Sequence, residues 1–187
     1  MAPRGCVAVT ALLLCAAPIA WAATPPPDSP AALQEAQRLA QLPPVVHGGS
    51  TRIDPSGRKE KGRASYYAHR FVNRKMANGK RFDPNANIAA SKTLPLGTTA
   101  KVTNLQNGRS VTVRVEDRGP FIDGRVVDVT PKVADELDIL KKGVVPVIVA
   151  PIAVPQPDGV MKLGAGAADA SPEEVAQATQ QAEAATR

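Results

Sequence analysis

Residues 98–117, TTAKVTNLQNGRSVTVRVED, hold two stretches in which β-branched residues alternate with polar ones, separated by Asn107-Gly108. Alternation with a period of two predicts half-buried β-strands. An Asn-Gly pair is a strong hairpin signal, because a type I′ turn requires positive φ at both central residues. We therefore expect residues 98–105 and 109–116 to pair antiparallel through a type I′ turn.

Similar short segments lie on both sides of this hairpin. They are RASYY, RVVDV and VVPVIVA, each rich in residues typical of strands and bounded by turn signals. One short helix is predicted over residues 131–138, because Thr130 supplies an N-cap before Pro131 and Gly143 ends the segment that follows. Many short strands, one small helix and frequent Gly and Pro predict a mainly β protein, folded as a compact barrel.

The composition predicts where this barrel begins and ends. Residues 23–61 form a Pro/Ala-rich and then basic linker, and residues 152–187 form an Ala/Gln-rich tail with few large apolar side chains. Neither flank can bury a core of its own. Ser29-Pro30 and Ser171-Pro172 each predict a capped helix start, the second over residues 172–185. We expect a folded domain at 62–151, a partly helical linker before it and a disordered tail after it.

The N-terminus resembles an export signal. Arg4 precedes an apolar run from Val7 to Ile19 and a small-residue site at 20–22, which predicts a Sec signal peptide over residues 1–22. This run is shorter than the roughly 20 residues of a membrane-spanning helix. Leu14 stands where a small residue precedes a lipidated cysteine, which argues against lipid anchoring at Cys15. We expect a soluble exported chain with no stable membrane insertion after cleavage.

Charge and residue content narrow the function classes. The chain holds 23 Lys+Arg and 17 Asp+Glu, a net charge of +6. In an exported protein this balance favours anionic cell-wall polymers over nucleic acid, although a solvated basic surface is the simpler explanation. Its two histidines, His47 and His69, form no metal-ligand spacing, and no phosphate-binding glycine loop is present. We therefore expect no metal and no cofactor.

Asp117 is the candidate catalytic residue, because it ends a strand of alternating valines. Val111, Val113, Val115 and Asp117 share one face at period two, which predicts that Asp117 points inward and Glu116 outward. A carboxyl group shielded from solvent is suited to transfer a proton. The alternative is that Asp117 only caps the turn at residues 118–121.

Several blocks of the chain resemble a known family. GRASYYAHRF, NRKMANGKRFD, TLPLGT, VTNLQNGR, DRGPF and GRVVDVTPKVADELDI, in this order, are similar to the rare lipoprotein A (RlpA) type of lytic transglycosylase. The resemblance covers about residues 62–150. It implies a six-stranded double-psi β-barrel of the RlpA/expansin type with one or two short helices and low-complexity tails. It also implies a periplasmic protein that acts on peptidoglycan glycan strands.

The family's functional positions are only partly retained. Asp117 matches the family's acid, whereas Lys80 stands at the position of a glutamate and Ser91 at that of a histidine. Glu116 replaces an asparagine. The resemblance also suggests a sugar groove, for which the candidate substrate-binding residues are Tyr66, Tyr67, Asn78 and Arg118. Because Tyr66 and Tyr67 alternate along one strand, at most one of them should face the groove.

Three hypotheses follow for the function. The first is a lytic transglycosylase that forms a 1,6-anhydro-muramic product through Asp117, weakened by the replacements at Lys80 and Ser91. A single carboxyl can suffice there, because the nucleophile is a hydroxyl of the substrate itself. The second is a non-catalytic peptidoglycan-binding or expansin-like wall-loosening module. The third is an adaptor whose helical flanks recruit envelope or division proteins.

Overall fold

The computed structural model describes residues 28–41 and 52–186. No helix within these ranges is long and apolar enough to cross a membrane. The predicted signal peptide, with Cys15, and His47 lie outside the described residues. The helices and strands are α1 (Pro30–Ala40), β1 (Glu60–Tyr66), β2 (Ile88–Ser91), β3 (Thr99–Asn104), β4 (Ser110–Asp117), β5 (Arg125–Val129), α2 (Pro131–Glu136), β6 (Val145–Pro155), β7 (Met161–Leu163) and α3 (Pro172–Thr186).

Six of the strands form a closed barrel. Their order is β1-β5-β2-β4-β3-β6, and β6 closes the barrel by pairing antiparallel with β1. The pairs β1–β5 and β2–β4 are parallel, and the other pairs are antiparallel. The predicted mainly β fold and its six-stranded double-psi barrel are confirmed. β7 extends the sheet beyond β6.

The barrel core contains Val111, Val113 and Val115, which the alternation predicted to share one face of β4, and each is at most 9% exposed. Val102 of β3 and Val147 of β6 are fully buried in the same core. α2 adds Val133, and Leu137 follows directly after it, both fully buried. The core therefore consists mainly of β-branched and other aliphatic side chains, which suit a pleated, half-buried surface.

The central hairpin forms, but its predicted turn type is wrong. β3 and β4 pair antiparallel, with Val102 opposite Val111. Gly108 has a φ of +73°, whereas Asn107 is not among the residues with positive φ, as a type I′ turn would require. Instead, Asn107 Oδ1 accepts a hydrogen bond from the Arg109 N–H (3.0 Å), which stabilises a longer connection.

α2 matches its prediction closely, whereas β2 did not emerge from the residue pattern. Thr130 Oγ1 accepts from the Val133 N–H at 3.4 Å, and the helix ends at Glu136, two residues before the predicted end. β2 consists of the sequence IAAS, and all four of its residues are buried. A strand that is buried throughout has no polar face, so period-two alternation cannot reveal it.

Both flanking helices begin at their predicted caps and pack on the barrel. Ser29 Oγ accepts from the Ala32 N–H at 3.1 Å, and Ser171 Oγ accepts from the Glu174 N–H at 3.1 Å. The sequence predicted a disordered tail after residue 151, whereas β6 continues to Pro155 and α3 covers it. α3 contributes only small buried side chains to this contact, which a search for large apolar residues overlooks: Ala178 and Ala182 pack against Ile152 and Ala153. α1 packs through Leu39 against Ile148 and Ala150.

Candidate functional site

A β-bulge at the end of β4 places Asp117. Ala89 lies opposite Val115, but the next residue of β2, Ala90, lies opposite Asp117, so Glu116 is an extra residue in β4. Residues directly opposite each other share a face of the sheet, and Ala89 and Val115 both belong to the core. Asp117 therefore lies on the outer face of the barrel. The prediction that it points inward is wrong, because a bulge resets the alternation of the strand.

The Asp117 carboxylate is held by three donors from three parts of the chain. Its Oδ2 accepts from the Tyr67 hydroxyl at 2.8 Å, and its Oδ1 accepts from the Ala77 N–H and the Arg118 N–H, each at 2.9 Å. Only the Arg118 donor belongs to the turn that Asp117 was suggested to cap. The carboxylate instead joins β1, the ANG loop (residues 77–79) and the end of β4, while the residue itself stays half-buried.

Tyr67 enters this site directly after β1. Its ring packs against Phe71 and Phe82, with ring centroids 5.6 and 4.5 Å away. Burial raises the pKa of Tyr67 well above its ordinary value, and the hydrogen bond to Asp117 raises this pKa further. Its phenol therefore keeps its proton at neutral pH and acts as a donor to Asp117. Tyr66 lies elsewhere, since its hydroxyl donates to the Leu140 carbonyl oxygen at 3.3 Å.

The ANG loop is fixed to β4 through Glu116. The Asn78 N–H donates to the Glu116 carbonyl oxygen (3.1 Å), and Asn78 Nδ2 donates to Glu116 Oε2 (2.9 Å). The other carboxylate oxygen of Glu116 pairs with the Arg114 guanidinium, and Glu116 is only 4% exposed. This clamp sets the position of the Ala77 N–H, which donates to Asp117. Both ends of the Asn78 amide are used within the protein, since its Oδ1 accepts from the Lys80 N–H at 2.9 Å.

Lys80 and Ser91, the two replaced family positions, differ in exposure. Lys80 is exposed, and within the described residues its ammonium has no hydrogen-bond or ion-pair partner. Ser91 is 1% exposed and lies opposite the core residue Val127. Its Oγ accepts from the Thr93 and Leu94 N–H groups, both at 3.2 Å. Ser91 therefore shapes a turn and does not present its hydroxyl to solvent beside Asp117.

Arg118 links the site to the turn after β2. Its Nη1 donates to the carbonyl oxygens of Ser91 (3.1 Å) and Leu94 (2.6 Å). Burial lowers the pKa of Arg118 below its ordinary value, although the nearby Asp117 charge opposes this shift. Among the predicted groove residues, Tyr67, Asn78 and Arg118 therefore come together around Asp117, and Tyr66 does not.

The hydrogen-bond partners of Asp117 in the described part of the chain are one phenol and two backbone N–H groups, and no other carboxyl group is among them. Ala90 of β2 lies opposite Asp117 of β4 on one side and opposite Asp128 of β5 on the other. Asp128 is therefore two strands away from Asp117. Asp128 accepts from the Ser65 hydroxyl and pairs with the Arg125 guanidinium. Asp128 is therefore held by side chains of β1 and β5 on the outer face of the barrel.

A cavity of about 680 Å³ lies away from this cluster, between α1 and the outer face of β3 and β6. Leu39, Lys101 and Ile148 are among its lining residues, and none of the groups around Asp117 is. We place the candidate site at Asp117, because among residues 28–41 and 52–186 a carboxylate, a phenol and aligned backbone donors converge only there.

The clamp formed by Glu116 did not follow from the sequence. The available signals were weak: an acid next to Asp117, and its presence where the family has asparagine. Whether the Glu116 side chain meets Asn78 depends on the bulge, which sequence alternation does not reveal. The described residues contain no group of three or more potential metal ligands.

Residues 59–149 match the family model described as lytic transglycolase. The barrel of this chain is therefore similar to the RlpA-like lytic transglycolases. It is 46% identical over 91 residues to the endolytic peptidoglycan transglycosylase RlpA of Campylobacter jejuni, which covers 49% of this chain and 33% of that protein. The RlpA of Vibrio cholerae is 40% identical over 114 residues, covering 60% of this chain and 43% of that protein. The matches thus span less than half the length of these relatives.

Two solved structures were also found to be similar. A Streptomyces papain inhibitor aligns with a TM-score of 0.41 at 25% identity, covering 51% of this chain and 96% of that one. An expansin of Clavibacter michiganensis aligns with a TM-score of 0.38 at 18% identity, covering 50% of each chain.

Proposed function

We propose that this protein is a lytic transglycosylase that cleaves peptidoglycan glycan strands in the periplasm. The observation that carries the proposal is the Asp117 carboxylate on the outer face of the barrel, fixed by Tyr67, Ala77 and Arg118. Similar relatives are named endolytic peptidoglycan transglycosylases, which supports the substrate class. We further propose export through a signal peptide at residues 1–22, with the barrel as the catalytic domain.

The proposed reaction needs one proton-transfer group. The protonated Asp117 carboxyl gives its proton to the glycosidic oxygen as the bond from that oxygen to the muramic C1 breaks. The C6 hydroxyl oxygen of the same muramic residue then bonds to C1, and its proton passes to the Asp117 carboxylate. The product is a 1,6-anhydro-muramic end, and the carboxyl group is regenerated. Because the nucleophile is part of the substrate, no water has to be positioned.

The neighbours of Asp117 orient it for this exchange. Donors at 2.8–2.9 Å to both oxygens fix the plane of the carboxylate. The raised pKa of Tyr67 keeps its phenol protonated, so the phenol holds Oδ2 and does not compete as a base. We assign Tyr67 and the Ala77 N–H as positioning groups in the proposed site. Arg118 holds the turn after β2 beside them.

A second candidate function is a peptidoglycan-binding or wall-loosening module that does not cut. It is favoured by the state of the two replaced positions, because Lys80 is a free exposed cation and the Ser91 hydroxyl is buried in a turn. Lys80 therefore does not supply the carboxyl group of the family's glutamate, and Ser91 does not supply the imidazole of its histidine. The two candidates differ in one measurable property, the release of anhydro products.

The test compares the parent chain with Asp117→Asn and with Asp123→Asn, a control acid that is exposed in the same loop. An asparagine keeps an oxygen for the Ala77 and Arg118 N–H groups, and its amide can donate to the phenol oxygen, so the fold should persist. Release of 1,6-anhydro-muropeptides from purified sacculi, followed by mass spectrometry, should fall about 10²- to 10⁴-fold in Asp117→Asn only.

Two outcomes would count against the enzyme. Equal release by Asp117→Asn and the parent chain would exclude Asp117 as the proton-transfer group. If the parent chain releases no anhydro products while it sediments with sacculi, the binding module replaces the enzyme as the function.

A further inference from the structure

α3 is tied to the barrel by hydrogen-bond donors from two neighbouring strands. Thr99 Oγ1 donates to the Ala178 carbonyl oxygen at 3.4 Å, and Arg114 Nη1 donates to the Gln181 carbonyl oxygen at 3.3 Å. Thr99 of β3 and Arg114 of β4 lie directly opposite each other in the barrel. Ala178 and Gln181 are three residues apart and therefore share one face of the helix. One face of α3 is thus fixed at one register position of β3 and β4.

The contact with Arg114 suits the electrostatics of α3. Within the residues described for this helix, the first turn is acidic and the last turn contains no basic side chain. The C-terminal end of a helix carries a partial negative charge, which a nearby cation stabilises. Arg114 brings such a cation close to this end of α3 from a strand of the barrel.

The same guanidinium holds the Glu116 clamp. Arg114 Nη2 pairs with one carboxylate oxygen of Glu116, while Nη1 binds Gln181. The other oxygen of Glu116 accepts from Asn78 Nδ2 at 2.9 Å. The Ala77 N–H, next to Asn78, donates to Asp117 Oδ1 at 2.9 Å. A continuous series of contacts therefore runs from α3 to the proposed catalytic carboxylate.

We propose that Arg114 is a positioning residue of the proposed site, through which α3 holds the ANG loop against Asp117. The proposal rests on the proposed function for the role of Asp117. With α3 in place, the guanidinium is fixed from two sides, by the helix and by Glu116. When the last turns of α3 leave the barrel, only Glu116 holds the guanidinium, so the ANG loop opens more often while the barrel stays folded. The proposed site thus depends on a helix outside residues 59–149, the part of the chain that matches the family model.

The test displaces α3 without changing the clamp itself. Ala182 is fully buried against β6, so Ala182→Gln overpacks this contact and forces the end of α3 outward. Ala184→Gln is the matched control, because it makes the same change at an exposed position of the same helix. Arg114→Lys keeps a positive charge beside Glu116. Lysine has one nitrogen where arginine uses two, so it cannot reproduce both contacts in their present geometry.

The first readout is trypsin cleavage of the folded chain, well below its Tm. Opening of the ANG loop exposes Lys75 and Lys80, which flank it, whereas cleavage after Arg63 within β1 requires the barrel to open. In Ala182→Gln, loop cleavage should accelerate roughly 3- to 10-fold relative to cleavage after Arg63, the factor expected from the loss of about one hydrogen bond.

The two substitutions should not be additive. Arg114→Lys should accelerate loop cleavage, and the double variant with Ala182→Gln should be no faster than Arg114→Lys alone, because both changes remove the same contact. Ala184→Gln should match the parent chain.

The second readout is the release of anhydro-muropeptides from sacculi. At saturating sacculi, release should fall roughly 3- to 10-fold in Ala182→Gln and in Arg114→Lys, in proportion to the loosened loop. The concentration of sacculi that gives half-maximal release should stay that of the parent chain, because the changes act on the loop that orients Asp117.

Two results would overturn the role of Arg114. One is loop cleavage in Ala182→Gln that rises no more than cleavage after Arg63. The other is a double variant in which the two effects multiply. A parent chain that releases no anhydro products would instead overturn the proposed enzyme, while loop cleavage would still decide whether α3 acts on the ANG loop through Arg114.

Discussion

The substitution Glu116→Gln tests the clamp that positions the ANG loop. Glu116 uses one carboxylate oxygen for the Arg114 guanidinium and the other for Asn78 Nδ2 at 2.9 Å. Glutamine has one acceptor oxygen and one amide that can only donate, so it can serve one of these two donors. The other donor then faces an N–H group, and the Arg114 charge loses its partner.

The expected cost is about 2 kcal/mol of unfolding free energy. A hydrogen bond to a charged group contributes about 1.5–3 kcal/mol, and breaking a fully buried ion pair costs about 3–5 kcal/mol. We take the lower range because the Arg114 side chain is 23% exposed and water can solvate its charge. At about 2–4 °C per kcal/mol for a domain of this size, Tm should fall by roughly 4–8 °C.

The matched control is Glu136→Gln, the same chemical change at an exposed pair. Glu136 is 43% exposed and lies 4.0 Å from Lys132 Nζ on α2. Such a pair contributes about 0.3–0.5 kcal/mol, so Tm should fall by less than about 2 °C. Thermal unfolding followed by circular dichroism measures both variants. Tryptic cleavage after Lys75 and Lys80, identified by mass spectrometry, should accelerate only in Glu116→Gln, because the ANG loop opens more often. Equal Tm losses, or unchanged cleavage of the loop, would refute the clamp.

Two further predictions concern Tyr67 and α3. The pKa of Tyr67 is raised in the folded state, so above about pH 10 the unfolded chain loses a phenol proton that the folded chain keeps. The unfolding free energy should then fall with rising pH. Measured by urea unfolding, the unfolding free energy of Tyr67→Phe should fall less steeply with pH than that of the parent chain. Ala178→Asp should lower Tm by several degrees because Ala178 is buried against β6, whereas Ala176→Asp, exposed on the same helix, should change it little. Similar slopes in the first case, or similar Tm values in the second, would contradict these assignments.

Local sequence determined several elements of the fold, although not β2. Alternation along residues 98–117 predicted the antiparallel pairing of β3 and β4, and Thr130 before Pro131 predicted the start of α2. The caps at Ser29 and Ser171 were equally visible. These signals are local, because side-chain alternation and capping depend on residues within a few positions of each other. The family blocks added the barrel architecture and pointed to Asp117.

Tertiary structure decided how the site is assembled. The bulge opposite β2 turned Asp117 to the outer face, and the fold alone brought Tyr67 and the Ala77 N–H to its two oxygens. The burial of Ser91 and the packing of α3 through alanines likewise depend on strands distant in sequence. A bulge is set by the register between two strands, and register is fixed only when the barrel closes. Local sequence therefore pointed to Asp117 as the candidate acid. The direction in which its side chain points and its hydrogen-bond partners depend on the closed barrel.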